Sequence, residues 1–113
     1  MRKISILRKS GTLPILCFLF KSREARYSHL AHETSVPLKT LAIRLTELLR
    51  LGLIDRQIRQ EGQNGVAFHV YGLTSKGTKI VRSIGYDLIE RLVKAENDFV
   101  AVESGIERKL KVT

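Results

Sequence analysis

One stretch of the sequence, Pro37–Leu51, carries the clearest helical pattern in the chain and is followed by Gly52. Its apolar residues recur at the spacing of one buried helical face, namely Leu38, Leu41, Leu45, Leu48 and Leu49. Pro37 suits a first helical turn, Ser35 can cap the helix, and Gly52 can supply the positive φ that ends it. A chain that contains this helix must bury the leucine face against other elements.

The opposite side of this helix has an unusual composition for a solvated surface. At 100° per residue it carries Lys39, Thr40, Ile43, Glu47 and Arg50, with Arg44 on its shoulder. Cations, hydroxyls and methyl groups are what contacts phosphates and base edges in a DNA major groove. Taken alone, the pattern favours a plain amphipathic surface helix, so the neighbouring segments must decide between the two interpretations.

The charge of the chain indicates a polyanionic partner. The 113 residues have a formal net charge of +9 and a pI of about 10.1. Residues 1–60 hold twelve Lys and Arg against four Asp and Glu, whereas residues 61–113 hold eight against seven. The basic half favours binding to nucleic acid, or alternatively to an acidic membrane surface. The nearly neutral half, residues 61–113, indicates a different function.

The length and the cysteine content bound the class of protein. A chain of this length fits one domain, and Cys17, the single cysteine, excludes an internal disulfide and fits a reducing compartment. The apolar run Leu13–Phe20 is too short to cross a bilayer, and no signal-peptide cleavage motif follows it. We therefore expect a cytoplasmic protein.

The residues before the organising helix predict two shorter helices. In chain order we expect a basic arm over Met1–Lys9, a helix over Leu13–Lys21 capped by Thr12, a very short strand from Tyr27, and a helix over His29–Thr34 capped by Ser28. Two helices joined by a tight turn, of which the second is longer and basic on its outer side, form a helix-turn-helix pattern.

After Gly52 the apolar spacing changes from helical to alternating. Leu53–Arg59 and Val66–Tyr71 predict two strands, along which the alternating apolar residues are Ile54, Ile58, Val66, Phe68 and Val70. Between them, residues 60–65 are rich in turn formers and end in Asn64-Gly65, a strong hairpin signal. The pattern predicts a long hairpin of the kind called a wing.

A final helix is predicted from Lys76, capped by Thr74 or Ser75, and could persist to about Leu110. Kinks or a break are expected at Asn97-Asp98 and at Ser104-Gly105. The helix carries an apolar stripe with members three or four residues apart, namely Val81, Ile84, Leu88, Leu92, Ala95, Phe99, Val102, Ile106 and Leu110.

This stripe predicts a homodimer. A compact domain needs it only as far as about Leu88, so the remainder would face water in a monomer. Pairing with the same stripe of a second chain buries it. Alternatively, the tail could fold back over Met1–Lys9 of its own chain.

The order of these elements, together with three motifs, resembles the winged helix-turn-helix transcription regulators of the MarR and HxlR type. The motifs are Lys39-Thr40-Leu41 with Arg44-Leu45 and Glu47-Leu48 in the recognition helix, Leu51-Gly52-Leu53-Ile54 at the helix-to-wing corner, and Tyr71-Gly72-Leu73-Thr74-Ser75-Lys76-Gly77 at the wing-to-helix corner. The first occurs in many helix-turn-helix proteins, whereas the two corners together are more specific. The likeness covers about residues 10–92.

The resemblance implies an α+β, mainly helical fold with a two-stranded wing and a long C-terminal dimerisation helix. Residues from about 10 to 75 would form the DNA-binding core, and residues 76–113 the dimerisation region. The residues expected at the bases are Lys39, Thr40, Ile43 and Arg44, and those expected at phosphates are Arg56 or Arg59 on the wing and Ser28 and His29 on the preceding helix. The wing tip, residues 61–65, holds no Lys or Arg, which argues against its insertion into a minor groove.

Two other kinds of site are less favoured. His29 and His32, with His69 or Cys17, could hold a metal, but the ligand set is incomplete and the first two histidines are more simply phosphate neighbours. Cys17 could act as a redox switch, as a cysteine does in some regulators of the HxlR type, but its apolar surroundings favour a buried thiol. We expect no cofactor.

Catalysis finds little support, since no nucleophile, phosphate-binding or zinc-protease motif is present. The acid pairs Asp87 with Glu90 and Glu103 with Glu107 have basic neighbours at helical spacing, which a solvated face explains. The sequence therefore predicts a homodimeric, sequence-specific DNA-binding transcription regulator. Two alternatives are a non-specific architectural DNA-binding protein and a winged helix that binds another polypeptide.

Overall fold

The computed structural model describes residues 2–97, with side chains from residue 5 onward. It contains helices α1 (Arg2–Leu7), α2 (Thr12–Ser22), α3 (Tyr27–Thr34), α4 (Leu38–Arg50) and α5 (Ser75–Ile84), and strands β1 (Glu24–Arg26), β2 (Ile54–Gln60) and β3 (Ala67–Leu73). Residues 86–97 are also helical and are called α6. The predicted mainly helical α+β fold is confirmed. No helix within residues 2–97 combines the length and apolar character needed to cross a membrane.

The leucine face of α4 packs into the core, as its spacing predicts. Leu41, Leu45 and Leu48 are buried, whereas Leu38 is 62% exposed, so its assignment to the buried face was wrong. The neighbouring Pro37 and Lys39 are exposed as well, because the first turn of α4 projects beyond the core. The other buried members of the cluster come from every part of the described chain, namely Ile6, Ile15, Leu16, Leu19, Ala25, Leu30, Val36, Leu53, Ile54, Tyr71, Val81 and Ile89.

Three predicted helix caps were wrong. The residues that occupy the N-cap positions are Gly11 before α2, Arg26 before α3 and Pro37 before α4. None of them makes a side-chain capping hydrogen bond. Thr12 and Ser28 therefore lie inside the first turns of their helices. Ser35 takes a left-handed backbone with φ 55°, because the chain must reverse direction between two closely spaced helices.

The end of α4 has the hydrogen bonds of a Schellman motif. The N–H of Gly52 donates to the carbonyl of Leu49 at 3.1 Å, and the N–H of Leu53 donates to the carbonyl of Leu48 at 3.0 Å. Gly52 has φ 74°, as predicted, and Leu48 and Leu53 are both buried. This motif reverses the chain from α4 into the wing.

The three strands form an antiparallel sheet in the order β1-β3-β2. The predicted hairpin is confirmed, with Ile54 opposite Leu73 and Gln60 opposite Ala67. The short strand ends at Arg26, so its predicted start at Tyr27 was wrong.

The expected apolar alternation of the wing does not form one buried face. Val70 and Phe68 lie on the side of the sheet opposite to Ile54 and Ile58, because the register pairs Ile58 with His69. Ile58 is 70% exposed and Val66 is 86% exposed, since the outer half of the hairpin extends past the core. In the loop at the tip, the positive φ occurs at Gly62.

The predicted C-terminal helix is interrupted at Gly85, where no break was expected. The helix α5 ends at Ile84, and Gly85 adopts φ 98° and ψ 117°, outside the helical region. The interruption changes which face is inward, so that Ile89 of α6 is buried while Leu88 and Leu92 are 47% and 46% exposed. The expected kinks at Asn97-Asp98 and Ser104-Gly105, and the stripe from Phe99 onward, lie outside the described residues.

Candidate nucleic-acid interface

The outer side of α4 presents a continuous face of exposed side chains that contains no acid. Apart from one adjacent pair, its members are spaced three or four residues apart, so they share one face of the helix. We call this set the outward face of α4; it consists of Lys39, Ala42, Ile43, Thr46 and Arg50. Ile43, near its centre, is 48% exposed. A cation stands at each end, with methyl groups and one hydroxyl between them.

The structure places Thr40 and Arg44 away from this face. Thr40 is half-buried, with its methyl group beside Gly11. Arg44 donates through Nε to the carbonyl of Ser10 at 2.8 Å and through Nη1 to Oε1 of Glu47 at 2.7 Å. Its side chain is only 16% exposed. Arg44 therefore ties α4 to the turn that precedes α2.

Glu47, the single acid of α4, is paired with two cations. Lys9 donates to its Oε2 at 2.6 Å, and its side chain is 14% exposed. The hydrogen bond from Lys9 lowers the pKa of Glu47, and Arg44 acts in the same direction. The charge of the carboxylate is thus compensated by Lys9 and Arg44, although Glu47 still borders the outward face of α4, where it lines a surface hollow with Ala42, Ile43, Thr46 and Arg50.

The start of α3 contributes a second exposed polar region. Ser28 and His29 lie in its first turn and are exposed. No side chain caps this terminus, so backbone N–H groups of the first turn remain available to an acceptor. His29 lines a surface hollow of about 270 Å³ together with Arg26, Arg59 and Phe68. The fold thereby brings two of the predicted residues, His29 and Arg59, to one hollow.

The two candidate arginines of the wing differ in their partners. Arg59 donates to Oε1 of Glu24 at 2.5 Å and also to Gln57. Arg56 is exposed, and within the described part of the chain it forms no ion pair. The charge of Arg56 is therefore unpaired among the described residues, whereas that of Arg59 is paired with Glu24.

The hairpin is braced against the body of the protein by Arg26. Its guanidinium carbon lies 3.4 Å from the ring centroid of Phe68, and its Nη2 lies 3.3 Å from Oε1 of Glu61. These contacts hold β3 and the tip of the wing beside the start of α3. Sequence reasoning assigned no role to Arg26, because its partners are more than thirty residues away.

The outward face of α4 also includes Ala42, Thr46 and Arg50, which were not among the predicted site residues. Counting from Lys39, they follow at three, seven and eleven residues, so the helical spacing contained the signal. Arg44 was included because 100° steps place it near the same side. The contact with Ser10 that turns it inward depends on the tertiary fold.

The histidines and Cys17 do not assemble into a three-residue metal site within residues 5–97. Cys17 is half-buried, so full burial was wrong, and it lines a cavity of about 460 Å³ beside Tyr86 and Glu90. Burial raises the pKa of its thiol. The hydroxyl of Tyr86 donates to Glu90 at 2.8 Å, and this bond raises the pKa of Tyr86.

Comparison with known proteins gives a match to one family model and to solved structures. A family model described as HxlR-like helix-turn-helix matches residues 6–97. A comparison with curated protein sequences gave no match.

Among solved structures, diamide-treated YodB from B. subtilis is similar, with 22% sequence identity and a TM-score of 0.63. The match covers 83% of this chain and 88% of the YodB chain. A MarR family transcriptional regulator from Porphyromonas gingivalis W83 has 27% identity, 80% and 83% coverage and a TM-score of 0.61. Stf76 from the Sulfolobus islandicus plasmid-virus pSSVx has 27% identity, 59% and 84% coverage and a TM-score of 0.52.

Proposed function

This chain belongs to the HxlR-like helix-turn-helix family and is a DNA-binding transcription regulator, and we propose that it recognises a specific DNA sequence as a homodimer. Residues from about 10 to 75 contact DNA in this proposal, and residues 76–113 pair two chains. The observation that carries the proposal is the outward face of α4, on which Ile43 is exposed between Lys39 and Arg50 and beside which the charge of Glu47 is paired with Lys9 and Arg44.

Sequence reading is assigned to the middle of this face. Methyl groups of small side chains contact the methyl group of thymine, and hydroxyls exchange hydrogen bonds with base edges. Ala42, Ile43 and Thr46 supply methyl groups, and the hydroxyl of Thr46, which donates to the carbonyl of Ala42 at 2.9 Å, can still accept a hydrogen bond. Lys39 and Arg50 supply charge at the two ends. A protein that bound DNA by charge alone would have no use for an exposed isoleucine at the centre of its contact surface.

Positioning on the DNA backbone is assigned to α3 and the wing. Ser28, His29 and the uncapped N–H groups at the start of α3 can bind a phosphate. Arg56 is the stronger candidate on the wing, because it has no ion pair to exchange among the described residues. Thr40 and Arg44 support the position of α4 and are left out of the contact set.

Dimer formation is assigned to α6 and the segment that follows it. Leu88, Leu92 and Ala95 are exposed and lie at i, i+4 and i+7, on one face of α6. In the sequence this stripe continues with Phe99, so a twofold-related copy could bury a longer apolar strip. The two copies of α4 would then meet successive major grooves, roughly 34–36 Å apart.

A winged helix that binds another polypeptide is the second candidate. It is favoured by the outer half of the wing, where Ile58 and Val66 are largely exposed and the tip holds no Lys or Arg. Changing both residues to Ser separates the two functions. If the chain binds DNA as proposed, the double Ser variant should lose less DNA affinity than Arg56→Ala does.

The deciding experiment is selection of bound sequences from a random DNA pool by the full chain. A palindromic motif with half-sites about one helical turn apart is the expected result. Enrichment without a common motif would support an architectural protein that coats DNA. Absence of enrichment at low salt would leave the polypeptide-binding candidate.

A further inference from the structure

The turn between α1 and α2 is fastened to α4 at two adjacent positions. Lys9 donates from Nζ to Oε2 of Glu47 at 2.6 Å, and the carbonyl of the next residue, Ser10, accepts from Nε of Arg44 at 2.8 Å. Arg44 and Glu47 are joined in turn by a bond of 2.7 Å between Nη1 and Oε1. These three hydrogen bonds close a ring between the two segments, and we call the four residues the α4 clamp.

The same turn also packs against the start of α4. Gly11 has φ 88°, and a Cβ at this position would lie 3.0 Å from Cγ1 of Val36 and 3.4 Å from Cγ2 of Thr40. Thr40 and Glu47 are about two helical turns apart, so the turn contacts α4 at two levels. Two levels of contact resist tilting of the helix, and the hydrogen bonds of the α4 clamp resist its rotation.

The α4 clamp lies beside the outward face of α4. Glu47 shares a surface hollow with four members of that face. Its side chain is 14% exposed, compared with 47% for Lys9. Because the pair is partly shielded from water, salt screens it less than it screens a fully exposed pair. The position of the base-reading side chains therefore depends on a contact just outside them.

Lys9 differs from the neighbouring cation of the basic half. Arg8 is exposed and forms no ion pair within the part of the chain that the structure describes. A cation that serves only to attract a polyanion needs no partner acid. Lys9 instead contacts Glu47, the single acid of α4, across 38 positions of sequence. The charge of Lys9 is thus used within the fold, next to the proposed contact surface.

We propose that Lys9 is a positioning residue for base recognition, which acts through Glu47 to set the orientation of α4 on the body of the protein. This inference rests on the proposed function, in which the outward face of α4 reads a specific sequence. A recognition site tolerates displacements of only about 0.5 Å, so a small rotation of α4 weakens contacts with base edges. Phosphate contacts carry no sequence information. Loss of the bond from Lys9 should therefore reduce discrimination between sequences.

The test measures the affinity of the full chain for its selected site and for random DNA, and compares the ratio of the two affinities between variants. Lys9→Gln is expected to lower this ratio about three- to tenfold, which is the effect of weakening one base contact. Lys9→Arg keeps a cationic donor for Glu47 and should restore most of the ratio. Arg8→Gln removes the same charge from the adjacent position and should lower both affinities alike, so that the ratio stays unchanged.

A double-variant cycle tests whether Lys9 acts through Glu47. Glu47→Gln alone should lower the ratio, and its combination with Lys9→Gln should lower the ratio no further than the stronger single change does. Losses that multiply would show that the two side chains act independently, and they would overturn the proposal. An unchanged ratio for Lys9→Gln would overturn it as well.

Two controls separate this role from a general effect on stability and from a phosphate contact. Val81→Ala, at a buried position of α5, should lower the urea midpoint and leave the ratio unchanged. A ratio that fell as far as it does for Lys9→Gln would reduce the effect of Lys9 to stability and refute the proposal. Flattening of the plot of log K against log salt by about one unit for Lys9→Gln, but not for Arg8→Gln, would show that Lys9 neutralises a phosphate. That result would also refute it.

The outcomes distinguish this inference from the proposed function. If the unsubstituted chain prefers no sequence, the proposed function fails and the inference fails with it. If the unsubstituted chain selects a motif and Lys9→Gln keeps the full preference for it, the inference fails while the proposed function stands.

Discussion

The hydroxyl of Thr74 donates a hydrogen bond of 2.6 Å to the carbonyl of Gly52 and accepts one of 3.1 Å from the N–H of Gly77. One side chain thus connects the end of α4 with the start of α5. Gly77 is required beside it, since a Cβ there would lie 2.0 Å from the carbonyl oxygen of Leu53. The two corners of the wing are therefore packed against each other, and they fix its base.

Thr74→Ala is expected to lower the free energy of unfolding by about 2 kcal/mol, because it removes both a helix cap and a bridging hydrogen bond. Thr74→Ser keeps the hydroxyl and should lose much less. Ser75→Ala, at the adjacent exposed position, should change stability little. Urea unfolding of the three variants measures these differences. Equal losses for Thr74→Ser and Thr74→Ala would contradict the role of the hydroxyl.

Much of the site could be predicted from local pattern. The leucine spacing oriented α4, Gly52 ended it, Thr74 capped α5, and the exposure of Ile43 followed from the same periodicity. These features depend on residues within a few positions of each other.

The errors arose where distant parts of the chain meet. Whether Arg44 points toward solvent depends on the carbonyl of Ser10, thirty-four positions earlier. The outer half of the wing has the spacing of a buried strand, but no element of the described chain covers Ile58. Gly85 lies within an unbroken apolar stripe, and only the buried position of Ile89 reveals that the stripe changes direction there.

Glu47 gives the stability of the protein a defined dependence on pH. Because its pKa is lowered in the folded state, the carboxylate stabilises the fold above its unfolded pKa of about 4.3. This stabilisation is lost as the pH falls through the folded-state pKa. Glu47→Gln should therefore lower the urea midpoint at neutral pH. At about pH 3 the difference in urea midpoint between this variant and the unsubstituted chain should be smaller. Glu96→Gln, at an exposed position without an ion pair in the described chain, serves as the control.

The wing arginines should contribute unequally to the salt dependence of DNA binding. Arg56→Ala is expected to weaken binding to all sequences alike and to flatten the plot of log K against log salt by about one unit. Arg59→Ala should have a smaller effect, because Arg59 must first release Glu24. Lys79→Ala, on α5, should leave the slope unchanged. A larger effect for Arg59 than for Arg56 would show that the pair with Glu24 does not persist on DNA.

Ile43 should affect specificity more than general affinity. Ile43→Ala is expected to cost about 1 kcal/mol on the selected site and little on random DNA, since a base contact typically contributes about 1–3 kcal/mol of discrimination. Ile58→Ala removes an isoleucine from the wing that is even more exposed than Ile43, and it should leave the ratio of the two affinities unchanged. Equal losses on both DNAs for Ile43→Ala would show that Ile43 supports the fold and reads no base.

The exposed leucines of α6 should control assembly. Charged residues in place of Leu88 and Leu92 would repel their copies across a twofold axis. They would also leave unpaired charges in an apolar interface. The double change to Glu is expected to convert a dimer into a monomer at roughly tens of micromolar, as measured by sedimentation. Ile58→Glu makes the same kind of change at an exposed wing position and should leave the dimer intact. If two copies of α4 act together on a palindrome, as proposed, the α6 variant should also lose affinity for the full site while keeping its affinity for one half-site. A parent chain that sediments as a monomer would exclude pairing through α6, and would favour a tail that folds back over Met1–Lys9 of its own chain.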